Sequence, residues 1–556
     1  MPDLLIKNAR IIDGTGKEPF KGHLMAADGR IVGIVSASST NGDSFLKQKA
    51  KKTIDAEGLA LSPGFIDCHS HFDWVFPLPE HPDFVYPMVE QGITTVVTGN
   101  CGYTPAPVDD FTRTIMNDYG EFILERPLEY DWGSMGQFIE RLNDTKKNGG
   151  GLLFNNVQLV GHGALHLMAV QDKIKNPTSG ELSRITDEAG RAMDEGAFGL
   201  SLGLQYPPGI FSTTKELEAL ARVVADRDRV LTVHIKALSK YSGSYPIIPL
   251  GTPHNIKAIK EILAIGERTG VKLQISHFIF VGKSTWGTVD RGVGLVEKAR
   301  DRGLDVMWDI YPHFGGNSYI TVLLPPWFVE DFERHSTNPR SMKRLTMELN
   351  LTKWLLGFEF EDIIVMDAAF KGGEKYNGKN VQEISEMEQM EPVEVFTMLV
   401  RESDGRALDL VYGFTGNEEN EQYIERLIAH PLSLFETDTI LKSRGFPNQA
   451  SYGAFPQILG RYVRDKGVLT LTDAIHRMTG KSALRYGIPD RGTLKPGNFA
   501  DLVLFDPDTI ADNTTRKDSA KKPTGIDKVF INGKLTVDNG DYIKGVRPGR
   551  TLTPSG

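Results

Sequence analysis

Gly64-Phe65-Ile66-Asp67-Cys68-His69-Ser70-His71-Phe72-Asp73 closes the apolar run 59–66, which carries the breaker Pro63-Gly64. Side chains alternate faces along an extended segment, so His69 and His71 leave a strand end on the same side and can grip one metal ion. Two imidazoles on one face make a poor core, because every buried ring nitrogen needs a partner. They make a natural pair of ligands for zinc or a similar divalent ion. Two satisfied or exposed loop histidines would explain the pair equally well, so further ligands have to come from elsewhere in the chain.

Outward from this stretch, short apolar strands alternate with helical segments, the pattern that yields a parallel sheet or barrel. Strands are predicted at 61–67, 93–99, 155–160, 197–204, 230–234, 272–277, 305–311 and 432–438, with amphipathic helices such as 186–194, 214–227, 255–268 and 295–302. Eight such units closing on themselves give an α/β fold of the (β/α)8 TIM type, whose site is assembled at the C-terminal ends of the strands. Residues 1–60 instead alternate short β stretches with turns such as Asp13-Gly14 and Asp28-Gly29, and this texture returns near Asn532-Gly533 and Asn539-Gly540. Chain ends often lie close together. The expected organisation is therefore a small β-sandwich domain built from both termini (1–60 and 481–556) around a barrel at 61–480. The long gap between Tyr311 and Leu432 holds Leu323-Leu324-Pro325-Pro326-Trp327, a charged helix at 339–349 and a helix at 393–402. It reads as a lid insertion, about 314–395, before the last barrel strand.

At 556 residues the chain suits a large barrel with a smaller companion domain. Its net charge of -9 is spread without a Lys/Arg block, so nucleic acid and anionic membranes are not expected partners. Only two cysteines, Cys68 and Cys101, exclude a disulfide framework and suit a reducing compartment. With neither a secretion-signal pattern at Met1–Lys7 nor a run of membrane-spanning length, a cytoplasmic protein is expected; self-association is left open.

Further polar residues collect where the barrel would place its site. Cys101 lies just past the second strand in Thr98-Gly99-Asn100-Cys101-Gly102, His234 ends the fifth, His277 ends the sixth and Asp438 ends the eighth. Each alone reads as an ordinary core or capping group. Six such groups on one rim do not.

Several stretches resemble the amidohydrolase superfamily and, more narrowly, its N-acyl-D-amino-acid deacylase (D-aminoacylase) branch. They are Gly64-Phe65-Ile66-Asp67 with its two histidines, Gly99-Asn100-Cys101-Gly102, Gly199-Leu200-Ser201, Tyr206-Pro207-Pro208-Gly209, Ser276-His277, Tyr311-Pro312, Leu324-Pro325-Pro326-Trp327 and the segment from Tyr452-Gly453 to Tyr462-Val463-Arg464. Met478-Thr479-Gly480, Lys495-Pro496-Gly497 and Ala500-Asp501-Leu502-Val503 extend the likeness through the tail. The resemblance implies a metal-dependent hydrolase. In it Cys101, His234 and His277 would hold a tight zinc, while His69, His71 and Asp438 would line a weaker second position that Cys101 can bridge. A carboxylated lysine is the usual bridge in the superfamily, but 197–204 contains no lysine.

The chemistry fits the residue types. Zinc lowers the pKa of bound water to about 7 and polarises a carbonyl, which an unreactive amide needs. A carboxylate must take the water's proton and pass it to the leaving amine, and Asp438 is the choice. A thiolate ligand favours zinc over magnesium or calcium. His162, in Gly161-His162-Gly163, matches a family position near the site and is expected either to orient the substrate carbonyl or to make a structural hydrogen bond. His23, His81, His335, His430 and His476 read as surface or capping residues.

The chain also departs from the branch pattern. Phe278 and Ile279 stand where a histidine and a lysine follow the sixth-strand histidine, and Asn448-Gln449-Ala450 replaces a His-Pro-Arg triplet. His166 replaces the arginine of a Gly-His-x-x-x-Arg pattern, and Gln457 that of Phe-Pro-Arg. Those basic groups are thought to hold the substrate's free carboxylate, and neither alanine nor isoleucine can replace such a charge. Either another cation serves, with Lys236, Lys283, Lys442 and Arg444 nearby in sequence, or the substrate carries no carboxylate. The second is preferred, with Phe278, Ile279, Trp286, Phe314 and Trp327 lining an apolar pocket and Tyr206 and Tyr311 donating hydrogen bonds to substrate; core packing is the alternative for the aromatics. The expected activity is zinc-dependent hydrolysis of a linear N-acyl bond in a small molecule. Its rivals are a cyclic amidase of the hydantoinase or dihydroorotase kind and a non-catalytic barrel scaffold.

Overall fold

Eight parallel strands close into a barrel in this computed structural model, which describes residues 1–40, 42–246 and 251–554. They are β1 (Phe65–Asp67), β2 (Ile93–Thr98), β3 (Asn155–Gln158, continued by Val160–Gly161), β4 (Gly199–Gly203), β5 (Val230–His234), β6 (Lys272–Ile275), β7 (Val306–Ile310) and β8 (Ser433–Phe435). β1 to β3 pair in sequence, as do β3 to β8. The circle closes where Cys68 N donates to Phe435 O (3.2 Å) and Ser70 bridges Thr439. All eight strands are buried except at His234 and Lys272, as parallel strands covered by helices must be.

The intervening helices start on clear signals. Thr178 and Glu181 form a capping box ahead of Ser179–Asp194, Thr213 caps Thr214–Ala225, and Gly270, with φ of 70°, ends His254–Thr269. Val289–Asp301 completes the set between β6 and β7.

The strand expected at 61–67 is two strands. Ala60–Pro63 pairs antiparallel with Leu502–Phe505, whereas β1 pairs with β2. The chain changes partners at Gly64, whose N donates to Asp501 O (2.8 Å) while Phe65 N donates to Gly92 O (3.0 Å). A Cβ at Gly64 would collide with the Thr94 side chain, so the crossing needs glycine. Through Ala60–Pro63 the two ends of the chain make one nine-stranded sheet: Asp541–Tyr542, Lys534–Asp538, Ile526–Ile531, Leu502–Phe505, Ala60–Pro63, Leu4–Ile11, Phe20–Ala27 and Arg30–Ser36 in order, with Lys52–Asp55 beside Leu4–Lys7.

Between β7 and β8 the chain builds a unit with its own antiparallel sheet, in which Leu408–Tyr412 lies between Gly315–Tyr319 and Ile363–Asp367. Helices Pro339–Leu356, Val381–Glu388 and Pro392–Ser403 accompany it. Leu345, Leu349, Phe360, Val395, Phe396 and Leu399 belong to a hydrophobic cluster separate from that of the barrel. Among the described residues no helix is long and apolar enough to cross a membrane.

Candidate active site

The C-terminal ends of β1, β2, β5, β6 and β8 deliver one compact set of side chains. Cys101 Sγ lies 3.2 Å from His69 Nε2, 3.6 Å from His234 Nδ1 and 3.5 Å from His277 Nε2. Asp438 Oδ1 stands 3.5 Å from both His69 Nε2 and His71 Nε2. Two ligands at ordinary zinc–sulfur and zinc–nitrogen lengths and a tetrahedral angle are about 3.6 Å apart, so the spacing of Cys101 from His234 and His277 suits a shared ion. Ring nitrogens His69 Nδ1, His71 Nδ1 and His277 Nδ1 are buried without a hydrogen-bond partner among the described residues. A thiol, imidazoles and a carboxylate at these distances fit zinc better than a hard cation.

Local sequence explains the placement. Cys101, His277 and Asp438 have φ of 55°, 29° and 46°, left-handed backbone that costs a non-glycine residue on the order of 1–3 kcal/mol. Such turns re-aim a side chain within one residue of a strand end. Ser201, on β4, accepts from Gly102 N (2.9 Å) and donates to Gly99 O, which ties the Cys101 turn to the barrel. Tyr206 donates its hydroxyl to Cys101 O (2.7 Å). A Cβ on Gly203 would press into Cys101 O and the Tyr206 ring, so this backbone approach requires glycine.

Carboxylates surround the cluster from behind. Asp67 accepts from His69 N (3.1 Å), Thr437 N (3.0 Å) and Thr437 Oγ1 (2.6 Å), and Asp438 N donates to His69 O (3.0 Å), so the ends of β1 and β8 are pinned together. His69 Nδ1 lies 3.3 Å from Glu436 Oε2 and 3.5 Å from Asp309 Oδ1, the arrangement that fixes a ligating ring. Asp309 also accepts from His277 N (2.7 Å), and Gln205 Oε1 lies 2.7 Å from His234 Nε2.

Burial and charge set the protonation pattern. Burial pushes the Cys101 thiol up, but His69 and His277, with hydrogen bonds from His234 and His277, hold it well below its usual value. Burial and the charge of Asp309 push Glu436 well above the carboxylate range, and burial takes Asp67 to about 7. Burial opposes ionisation of Asp438 too, yet the His71 hydrogen bond and the charges of His69 and His277 hold its carboxyl below the usual value.

Residues 367–537 match the model of the amidohydrolase family. The chain is 29% identical over 552 residues to the N-acyl-D-glutamate deacylase of Alcaligenes xylosoxydans xylosoxydans, covering 99% of this chain and 96% of that one. It is 27% identical to the D-aminoacylase of the same organism, covering 96% and 93%. The crystal structure of N-acyl-D-glutamate deacylase from Bordetella bronchiseptica, complexed with zinc and a phosphonate inhibitor, superposes with a TM-score of 0.79 at 29% identity, covering 99% of each chain. Along nearly its whole length the chain is similar to deacylases of the amidohydrolase kind.

The structure brings His69, His71, Cys101, His234, His277 and Asp438 together, with Tyr206 against His234 (ring centroids 5.1 Å) and Tyr311 buried under the charges of Asp438 and Glu436. It does not bring in the other expected substrate contacts. Phe278 packs on Phe280 and Trp308, each at 5.1 Å, and Trp286 donates to Gly413 O (3.0 Å) and lies against Tyr423. Trp327 sits in the insertion, donating to Glu348 (2.8 Å) beneath Arg344. These three aromatics serve packing, because their rings and donors are taken up by neighbours other than the cluster. His162 turns to Glu216 (2.8 Å). Of the histidines expected at the surface or in caps, His23, His81 and His430 are buried, each with a ring nitrogen paired to Asn8 N, Leu78 O or Glu297, and His81 stands at the N-cap of Pro82–Val85. Asp309, Glu436 and Gln205 are the neighbours sequence reasoning passed over. The signal for Asp309 was an acidic residue inside the apolar strand Val-Met-Trp-Asp-Ile.

Proposed function

We propose that this protein is a zinc-dependent deacylase of the D-aminoacylase kind, hydrolysing linear N-acyl bonds of small molecules. The observation that carries it is the Cys101 thiol, held low and flanked at 3.2–3.6 Å by three imidazoles, with the Asp438 carboxylate across from it. Cys101, His234 and His277 would hold the tight ion, and His69, His71 and Asp438 a weaker one. A bound zinc would supply Lewis acidity, activating water and polarising the acyl carbonyl.

The chain's own groups do the rest. Asp438 is partly open to solvent, 20% exposed, and its depressed pKa keeps it ionised to accept the water's proton. The same carboxyl then delivers that proton to the departing amine. Burial pushes the Tyr311 hydroxyl well up, so it stays protonated; it has no hydrogen-bond partner among the described residues and can donate to the acyl oxygen. Tyr206, its hydroxyl spent on Cys101 O, positions the cysteine turn. Glu436 and Asp309 hold His69. A cyclic amidase with a lysine bridge is disfavoured, because β4 reads Gly-Leu-Ser-Leu-Gly. Six converging ligand-type side chains disfavour a bare scaffold. The free thiols of Cys68 and Cys101 suit the cytoplasm.

The preferred substrate has a neutral or bulky amine portion. Asn448 and Ala450, where the branch has a histidine and an arginine, are buried, Asn448 donating to Asn317, and Ile279 is buried too. One observation favours a free carboxylate instead. Lys442, four residues past Asp438, is pushed down to about 8 by burial and has no ion-pair partner among the described residues. The test is hydrolysis by the zinc-loaded protein of N-acyl-D-amino acids paired with their C-terminal amides. Turnover of the amides above the acids is expected. Faster turnover of the acids transfers the carboxylate to Lys442, and no turnover of either, with zinc bound, overturns the deacylase reading.

A further inference from the structure

A second group of metal-ligand side chains lies outside the cluster and shares no residue with it. His162 and His166 stand four apart on the helix His162–Val170, which follows β3, so both rings leave one face. Glu216 comes from the first turn of Thr214–Ala225, the helix that follows β4. Glu216 Oε1 lies 2.8 Å from His162 Nε2 and 3.1 Å from His166 Nδ1, and one donor atom of each residue is within 4.8 Å of the other two. The three side chains are 1%, 3% and 0% exposed.

The local interactions leave this set unfinished. Glu216 Oε2 and His166 Nε2 are buried with no hydrogen-bond partner among the described residues. No lysine or arginine among the described residues pairs with Glu216, whose charge would otherwise stand uncompensated in the interior. Position 166 is one where this sequence departs from its branch. An arginine there would neutralise the glutamate directly, whereas histidine turns the pair into His-x-x-x-His facing a carboxylate, a donor set typical of zinc. Ligands of a tetrahedral zinc at ordinary bond lengths are about 3.4 Å apart, so the two contacts to Glu216 would have to open by about 0.3–0.6 Å to admit an ion.

We propose that His162, His166 and Glu216 form a second, structural divalent-cation site of the zinc class, clamping the helix after β3 to the helix after β4. It is independent of the deacylase reading, and its test separates the two. The full-length protein, stripped and reloaded with Co²⁺, is assayed for metal per chain and for the thiolate-to-cobalt charge-transfer band. Only the Cys101 cluster contains sulfur, so the band reports that cluster alone. His166→Gln should lose one equivalent of metal relative to wild type with the band unchanged. His166→Arg, which keeps an ion pair to Glu216 and so protects the fold, should lose the same equivalent. Equal metal content in wild type and both variants, the result of a hydrogen-bonded His-Glu-His network, overturns the proposal. So does loss of the equivalent together with the band.

Discussion

At the scale of single residues, the site rests on side chains carried by unfavourable backbone. Cys101, His277 and Asp438 all have positive φ, and each strain has to be offset by the bonds around it, such as Ser201 and Tyr206 at the cysteine turn. Asp438 then does two jobs, facing His69 and His71 at 3.5 Å while remaining partly open to solvent. Asp438→Asn keeps the shape and removes the proton acceptor. It should lower kcat by about 10²–10⁴-fold, the usual value of a positioned acid or base. The proposed ligands Cys101, His234 and His277 are untouched, so one zinc per chain should remain. Kinetics paired with metal analysis check this, and loss of zinc in parallel with activity would show Asp438 to be chiefly a ligand. The convergence of these side chains was legible in the sequence because most of them stand at or just past the end of an apolar run. The helpers were not, because Glu436 and Asp309 earn their position only when strands from distant parts of the chain become neighbours in the barrel.

At the scale of elements, the barrel strands were legible because parallel strands covered on both faces are near-continuous apolar runs, and 93–99, 230–234 and 305–311 are of that kind. The split at Gly64 was not, since both halves of 61–67 are equally apolar and only the change of partner distinguishes them. The insertion's sheet was hidden too: its strands are separated along the chain by helices, and its central strand carries a charge. That charge is Asp409, whose two oxygens are buried without partners among the described residues and whose carboxyl burial pushes up to about 7. A raised acid binds its proton more tightly folded than unfolded. Its contribution is therefore fully present below about pH 4 and is lost as pH rises to about 7, a difference of about 4 kcal/mol at most. Asp409→Asn, neutral at every pH, should raise Tm at pH 8 and raise it by well under half as much at pH 5, where only part of the loss has developed. A variant that melts lower than wild type at both values would show the carboxyl group itself to be needed.

At the scale of the whole molecule, the two chain ends do more than flank the barrel. Ala60–Pro63 leads directly into β1, so the sheet that receives it from Leu502–Phe505 also sets where the first pair of histidines begins. The tail runs further, onto the barrel itself. Arg547 donates to Pro79 O (2.7 Å) and Asn148 O (3.1 Å), Gly549 N to Leu152 O (2.9 Å), and Leu552 N to Asn156 O (2.8 Å), while Asn156 N donates to Arg550 O (2.9 Å). The residues from Arg547 to Leu552 thus run along the approach to β3 and its first turn, where backbone groups would otherwise be exposed or unpaired. At about 1 kcal/mol for each bond, plus the burial of Leu552, this strap is worth several kcal/mol. Deleting residues 546–556 should lower Tm by several degrees and hasten protease cleavage at 143–156. No proposed ligand lies on β3, so zinc at the Cys101 cluster should persist in the truncated chain below its melting point. Differential scanning fluorimetry, limited proteolysis and metal analysis of the two chains decide it. An unchanged Tm would mean the tail is only laid against the barrel, whereas loss of zinc would mean that β3 transmits the tail's position to the Cys101 turn through its pairing with β2.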